Sequence, residues 1–183
     1  MTTNEIAKAI LKDMSQKSFP IFMTTFSGRG IAEADVFGIN GNGYMYEFEI
    51  KRSRSDYRAD FKNKESKHRN FRERKAIHVY DEWKNGKKTG SSVECILIPN
   101  RFYFVCEEGL LSSADMPEYA GLKLIDINAD IYEAKNAPLL HRHKANAWIY
   151  QRAAVILCNR SLYGCSFMTY QHNLLKTNKT ETP

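Results

Sequence analysis

Two short segments carry residue types that could do chemistry. In Glu33 to Ile39, the residues Glu33, Asp35 and Phe37 fall on alternate positions; in Tyr44 to Lys51, Glu47, Glu49 and Lys51 do the same. Side chains alternate between the two faces of a strand, so if both segments are strands, each set shares a face. Asn40-Gly41-Asn42-Gly43 between them is a strong hairpin signal. Such a hairpin can point both sets the same way and crowd four carboxylates around one ammonium. Like charges that close are costly unless something positive joins them. A divalent cation would do so.

The spacing suits a hard metal. Asp35 and Glu49 can offer oxygen ligands from adjacent strands, and the backbone carbonyl of Ile50 can offer a third. Mg²⁺ prefers oxygen and keeps several waters; it can activate one of them and hold a phosphate group. Lys51, two residues from Glu49 on the same face, can contact the phosphate or the attacking water and stabilise the charge that builds up. The plainer reading is a solvated strand face, because antiparallel strands often carry charges outward and Glu-x-Lys recurs by chance.

The charge distribution bears on the choice. The chain has 183 residues, a net charge of +6 and a pI of about 9.1. Lys51 to Lys75 holds eleven Lys/Arg against four Asp/Glu, and the rest of the chain is close to neutral. A concentrated basic stretch is the electrostatic footprint of a polyanion partner; a solvated helix face explains it as well. A membrane surface would want apolar bulk opposite the charges, and Tyr57, Phe61 and Phe71 are too sparse for that. No apolar run approaches the roughly 20 residues of a membrane span, and the N-terminal MTTNEIAKAILKDM does not read as a secretory leader. Cys95, Cys106, Cys158 and Cys165 fall in no paired-ligand spacing. The expectation is reduced thiols in a cytoplasmic protein.

The elements that must position these residues read as follows. Residues 3 to 17 form a helix, capped by Thr2 with Glu5 closing a capping box and with Ile6, Ala9, Ile10 and Met14 on one face. Ile21 to Phe26 is a strand, 27 to 30 a loop, then come the two hairpin strands. Ser53, with Asp56 three residues on, caps a helix from about Arg54 to Ser66; His68 to Lys75 continues it or forms a second piece. Ile77 to Tyr80 is a strand and Glu82 to Ser92 an exposed loop. Val93 to Ile98, Arg101 to Cys106 and Leu122 to Ile127 are strands, followed by a turn at Asn128 and a short strand near Ile131. His143 to Cys158 is helical, and the tail from Leu174 is polar and frayed.

Asp35, followed after a glycine hairpin by Glu49-Ile50-Lys51, resembles the PD-(D/E)XK nuclease superfamily, although Ala34 stands where that family's proline would be. A closer resemblance, to the MmcB-like DNA-repair endonucleases, runs through FEIKRSRSDYRADFK (48–62), RFYFVCEEGLL (101–111), MPEYAGLKLID (116–126) and AKNAPLLHRHK (134–144). It implies an α/β, restriction-endonuclease-like αβββαβ core with a mixed central sheet flanked by helices. It also implies Mg²⁺ or Mn²⁺ dependence and hydrolysis of a DNA phosphodiester.

Other candidates are weaker. Glu5 could approach the metal, but its capping role suffices to explain it. Glu47 and Glu33 are extra carboxylates for the centre or plain solvent residues. Arg52, Arg54, Lys67 and His68 are candidate contacts to a nucleic-acid backbone. His141 and His143 lack a third ligand and read as surface histidines, Asp56 as a cap, and Trp148 as core rather than a base-stacking platform. The combined expectation is one domain over 1–173 with a polar tail over 174–183, acting as a metal-dependent deoxyribonuclease in DNA repair or processing. Its rivals are a binding module of the same fold without useful turnover, an RNA nuclease, and a domain whose basic face meets an acidic protein. The sequence sets no oligomeric state and leaves a homodimer open.

Overall fold

The Thr2 hydroxyl accepts the Glu5 N–H, and the Glu5 carboxylate accepts the Thr2 N–H at 2.6 Å, so the capping box closes at the start of helix α1 (Thr3–Gln16). The computed structural model describes residues 1–27, 31–84 and 87–163. The expected loop at 27–30 lies mostly outside them. After α1 come strands β1 (Ile21–Phe26), β2 (Ala34–Ile39) and β3 (Met45–Ile50), an antiparallel meander. The β2–β3 turn is built by Asn40, whose side-chain oxygen accepts the N–H groups of Asn42 and Tyr44, both at 3.0 Å. Gly43 supplies the positive φ, 82°, that reversal requires.

Helix α2 (Arg54–Asn63) starts where Ser53 accepts the Asp56 N–H at 3.0 Å. It breaks at Lys64, and α3 (Glu65–Arg72) is the second piece. Strands β4 (Ile77–Lys84) and β5 (Lys87–Ile96) pair only with each other. The loop expected over 82–92 is therefore mostly strand, with Asn85 and Gly86 outside the described residues. Its polar, non-alternating sequence hides the strand, because exposed on both faces it has no apolar side to mark. Then follow β6 (Arg101–Glu107), β7 (Ala120–Ile125) and β8 (Ile131–Lys135).

The main sheet runs β1-β2-β3-β6-β7-β8. Its β3–β6 and β6–β7 pairs are parallel and the rest antiparallel, so the sheet is mixed. Helix α1 lays Ile6, Ile10 and Met14 on one face, against Val36, Phe48 and Ile50. On the other face α2 and α3 bring Tyr57 and Phe71 onto Phe102, Phe104 and Leu122. Each fully buried phenylalanine here contributes about 1.5–3 kcal/mol. The expected mixed sheet flanked by helices is present.

Residues 1–145 form one compact unit and the chain from Asn146 onward a second. In the second, α4 spans Ala147–Tyr163, and Asn146 caps it by accepting the Ile149 N–H at 3.1 Å. The helix thus starts after His143 and runs past Cys158, since the cap fixes where helical pairing begins. The polar tail from Leu174 lies outside the described residues. No described helix is long and apolar enough to cross a membrane.

Candidate functional site

The β2–β3 register pairs Val36 with Phe48 and Phe37 with Glu47. One step further along, Asp35 faces Glu49, as alternation requires. Glu47, Glu49 and Lys51 share the face that α2 and α3 cover, and all three are buried. Strand parity placed them together; the sequence reading missed what meets them there.

Three lysines and three carboxylates close on one another beneath α3. Lys51 Nζ lies 2.7 Å from Oδ1 of Asp60 and 3.2 Å from Oε1 of Glu49. Lys64, at the helix break, contacts that same Glu49 oxygen and lies 3.4 Å from Asp60. Lys67 Nζ is 2.9 Å from Oε2 of Glu49 and 2.5 Å from Oε1 of Glu47, and it donates to the Glu33 carbonyl at 3.2 Å. Oε1 of Glu47 has no hydrogen-bond partner beyond that ion pair. His68 joins from the far side: Nε2 meets Oδ2 of Asp60 at 2.7 Å and Nδ1 meets the Tyr119 hydroxyl at 2.8 Å. The floor is aromatic, with Lys67 Nζ 5.4 Å above the centre of the Phe102 ring.

The protonation tendencies follow this geometry. Burial opposes ionisation of Glu49, but Lys67, Lys51 and Lys64 overcome it and hold its carboxyl below the ordinary range. Asp60 is held well down: His68 and Lys51 outweigh its burial. Glu47 goes the other way. Full burial pushes it up to about 7, and Lys67 only partly offsets that. Asp35 is raised by burial and by facing Glu49, although its Oδ2 accepts the Ile50 N–H at 2.8 Å.

The carboxylates of this face thus have protein cations for partners, where a divalent cation was expected. Lys64 and Lys67, invisible to an argument confined to the hairpin, supply the missing positive charge. Ammonium groups engage both oxygens of Glu49. Among the described residues no group of three or more His, Cys, Asp or Glu is arranged to hold a metal ion. Asp35, Glu49 and the end of β3 at Ile50 are close together, but as arranged they do not fit Mg²⁺ or Mn²⁺.

The other candidates separate. Glu5 is tied into its capping box, and α1 lies on the opposite face of the sheet. The Glu33 side chain is exposed, and only its carbonyl joins the network. Lys67 and His68, 5% and 0% exposed, present no charge to solvent. His141 is structural: Nε2 meets the Ile98 carbonyl at 2.9 Å, and burial holds the ring below its ordinary pKa. Arg52 and Arg54 are exposed, with Arg54 3.4 Å from Asp115. Eight of the eleven Lys/Arg of 51–75 lie on the surface, against three carboxylates, Asp56, Glu65 and Glu73. Asp60 and Lys64, which the sequence reading left out, recur with Lys67 and His68, which it took for nucleic-acid backbone contacts, at helical spacing, one polar stripe along two helices.

No family model and no curated protein matches the chain. A solved structure similar to it is a protein of unknown function from Silicibacter pomeroyi, 18% identical, with 98% of this chain and 92% of that chain covered at a TM-score of 0.54. At that identity the likeness concerns the fold.

Proposed function

We propose that this chain is a nucleic-acid-binding module, with DNA as its first ligand, on a restriction-endonuclease-like core whose carboxylate centre its own lysines neutralise. The observation that carries this is the division of the basic segment. Lys51, Lys64 and Lys67 turn inward to Glu47, Glu49 and Asp60, while eight cations stay exposed. Arg52 and Arg54 lie at the start of that surface, where they would contact phosphates; such contacts set affinity and carry no base information. The element order supports the core assignment. A helix precedes a three-stranded meander, and a helical crossover leads to a parallel strand, with the β4–β5 ribbon inserted. The resemblance to DNA-repair endonucleases supports a role in DNA repair or processing.

The competing reading keeps catalysis, with Asp35 and Glu49 as metal ligands and Lys51 assisting. The facing pair of Asp35 and Glu49 favours it, and so does the one-third exposure of the Lys64 side chain, which could leave Glu49 without unfolding the core. Incubating labelled DNA and RNA with the protein, in Mg²⁺, Mn²⁺ or chelator, separates the two. Retarded but intact DNA in every condition supports the binding module. Metal-dependent cleavage that Glu49→Gln abolishes would replace it with the nuclease.

A further inference from the structure

On the sheet face opposite Glu49 lies a cavity of about 290 Å³, between the end of α1, strands β3, β6 and β7, and the chain after β8. Nothing in the nucleic-acid reading uses it. Its volume is at the lower end for small-molecule sites. We propose that it binds a small planar aromatic anion.

The walls are aromatic. Phe19 stands edge-on to Tyr46 at 5.0 Å, and Phe48 stacks on Tyr103 at 5.6 Å. Such ring faces and edges accept a further ring in offset or edge-on geometry. Tyr103 packs against Gly121, where a Cβ would come within 2.5 Å of its ring and 2.6 Å of the Ala137 backbone nitrogen, so any other residue there would disturb this wall.

The charge at the base is unbalanced. Lys123 is the one charged residue in β7, AGLKLI, and it is 5% exposed. Among the described residues its only carboxylate is Asp13, at 3.3 Å, and Lys17 already holds Asp13 at 2.9 Å. One carboxylate therefore serves two ammonium groups. Arg101 adds a third cation, bonded to neutral oxygens of Asn136, at 2.9 Å, and Ala137. The second carboxylate, Glu133, accepts the Tyr103 hydroxyl at 2.8 Å. Three cations thus face two carboxylates, which leaves room for one negative charge. Burial pulls the Lys123 ammonium below its ordinary range, and an added anion would reverse that.

Packing alone does not call for Lys123. A methionine would fill the same volume without desolvating a charge, and Asp13 would keep Lys17. An ammonium at the base of an aromatic-walled cavity serves recognition: it fixes the anionic end while the rings hold the planar body. An aromatic carboxylate, with one charge on a planar ring, and a nucleoside monophosphate, with a planar base and a phosphate of between about one and two charges, both present an aromatic body with an anionic end.

The test is calorimetric titration of the intact protein with five probes: 4-hydroxybenzoate, adenosine 5′-monophosphate, adenosine, phenol and inorganic phosphate. One of the two aromatic anions is expected to bind, with its uncharged parent and inorganic phosphate at least about tenfold weaker. Which anion wins identifies carboxylate or phosphate as the source. Lys123→Met should weaken that binding at least about tenfold, as loss of a charge-assisted bond implies, without lowering the melting temperature. Lys87→Met, at the exposed start of β5, should leave it unchanged. If Lys123→Met fails to fold, Lys17→Met, whose side chain is largely exposed, decides by the same readout. No binding of either anion at millimolar concentration overturns the proposal. So does equal binding of an uncharged parent or of inorganic phosphate, or unaltered affinity in the variant that decides.

Discussion

Lys67, on α3, sends its ammonium 2.9 Å from Oε2 of Glu49 and 2.5 Å from Oε1 of Glu47, so one helical cation holds two carboxylates of the central strand. A residue that reads as surface charge is a keystone of the interior. The centre gains stability from its cations, and its anions stabilise the cations in turn.

Lys67→Met should therefore destabilise the protein strongly. Removing one partner of a buried ion pair typically costs about 3–5 kcal/mol, a fall on the order of 10 °C in Tm for a chain of this size. Adding Glu47→Gln to that variant should recover part of the loss by deleting a stranded charge. Thermal melts followed by circular dichroism check both. A Lys67→Met melt within about 2 °C of wild type would refute the keystone role. Glu49→Ala is expected to be destabilising as well, because it leaves three lysines short of an anion.

The raised Glu47 carboxyl makes a pH prediction. Its ordinary value is 4.5 and its folded value about 7, so between them the folded state binds the proton more tightly than the unfolded chain. The stabilising contribution is full below about 4.5 and is lost as pH rises through about 7, on the order of 3 kcal/mol in all. Glu47→Gln should remove that slope. Urea unfolding at half-unit steps from pH 4.5 to 8 should show the variant gaining on wild type as pH rises, then levelling off. Parallel curves for the two proteins would place the titration elsewhere.

Salt dependence tests the exposed basic surface. Each neutralised phosphate on duplex DNA contributes about −0.9 to the log–log slope of affinity against salt. Arg52→Ala and Arg54→Ala should each make the slope shallower by roughly one unit, similarly for unrelated sequences. Ca²⁺ in the buffer fills any oxygen-ligand site without necessarily supporting hydrolysis. Lys123→Ala, on the other face of the sheet, is the control. Wild-type slopes in both arginine variants would move the DNA to a different surface.

Metal binding has its own readout. A ligand at a hundred times its Kd stabilises the folded state by about 2.7 kcal/mol, several degrees in Tm. With Lys51, Lys64 and Lys67 on Glu49 and Asp60, 10 mM Mg²⁺ is expected to leave the wild-type melt within about 1 °C. A rise of several degrees, absent in Glu49→Gln, would favour the hydrolytic reading.

The sequence carried the hairpin well. β1 begins and ends where the apolar run does, and the β2–β3 turn follows from the Asn-Gly spacing. Alternation correctly set Asp35, Glu47, Glu49 and Lys51 on one side. It could not show that the side is interior, because lysines and glutamates are almost never fully buried unless paired. Those partners sit on helices that the strand pattern does not reach. Lys67 and His68 were read as surface residues for that reason, although their spacing from Asp60 and Lys64 marked a stripe. The strands at Ile77–Tyr80 and from Val93 were legible, but the outer part of the β4–β5 ribbon was lost for a different reason: its ladder is a property of two segments together, and that part of β5 is exposed on both faces, with no apolar side to mark it.

The parallel pairing of β3 with β6 also orders events in time. Parallel strands need a long crossover, and here the whole of 51–100 lies between them. Closing that loop costs entropy before any contact compensates, whereas the β1–β2–β3 meander closes locally. Glu47 and Glu49 should accordingly stand hydrated through early folding and meet Lys64 and Lys67 only when α2 and α3 dock. Interactions formed after the transition state govern how fast a protein comes apart. Substitutions in the buried network should hasten unfolding far more than they slow refolding, which makes this cluster of opposite charges a kinetic latch.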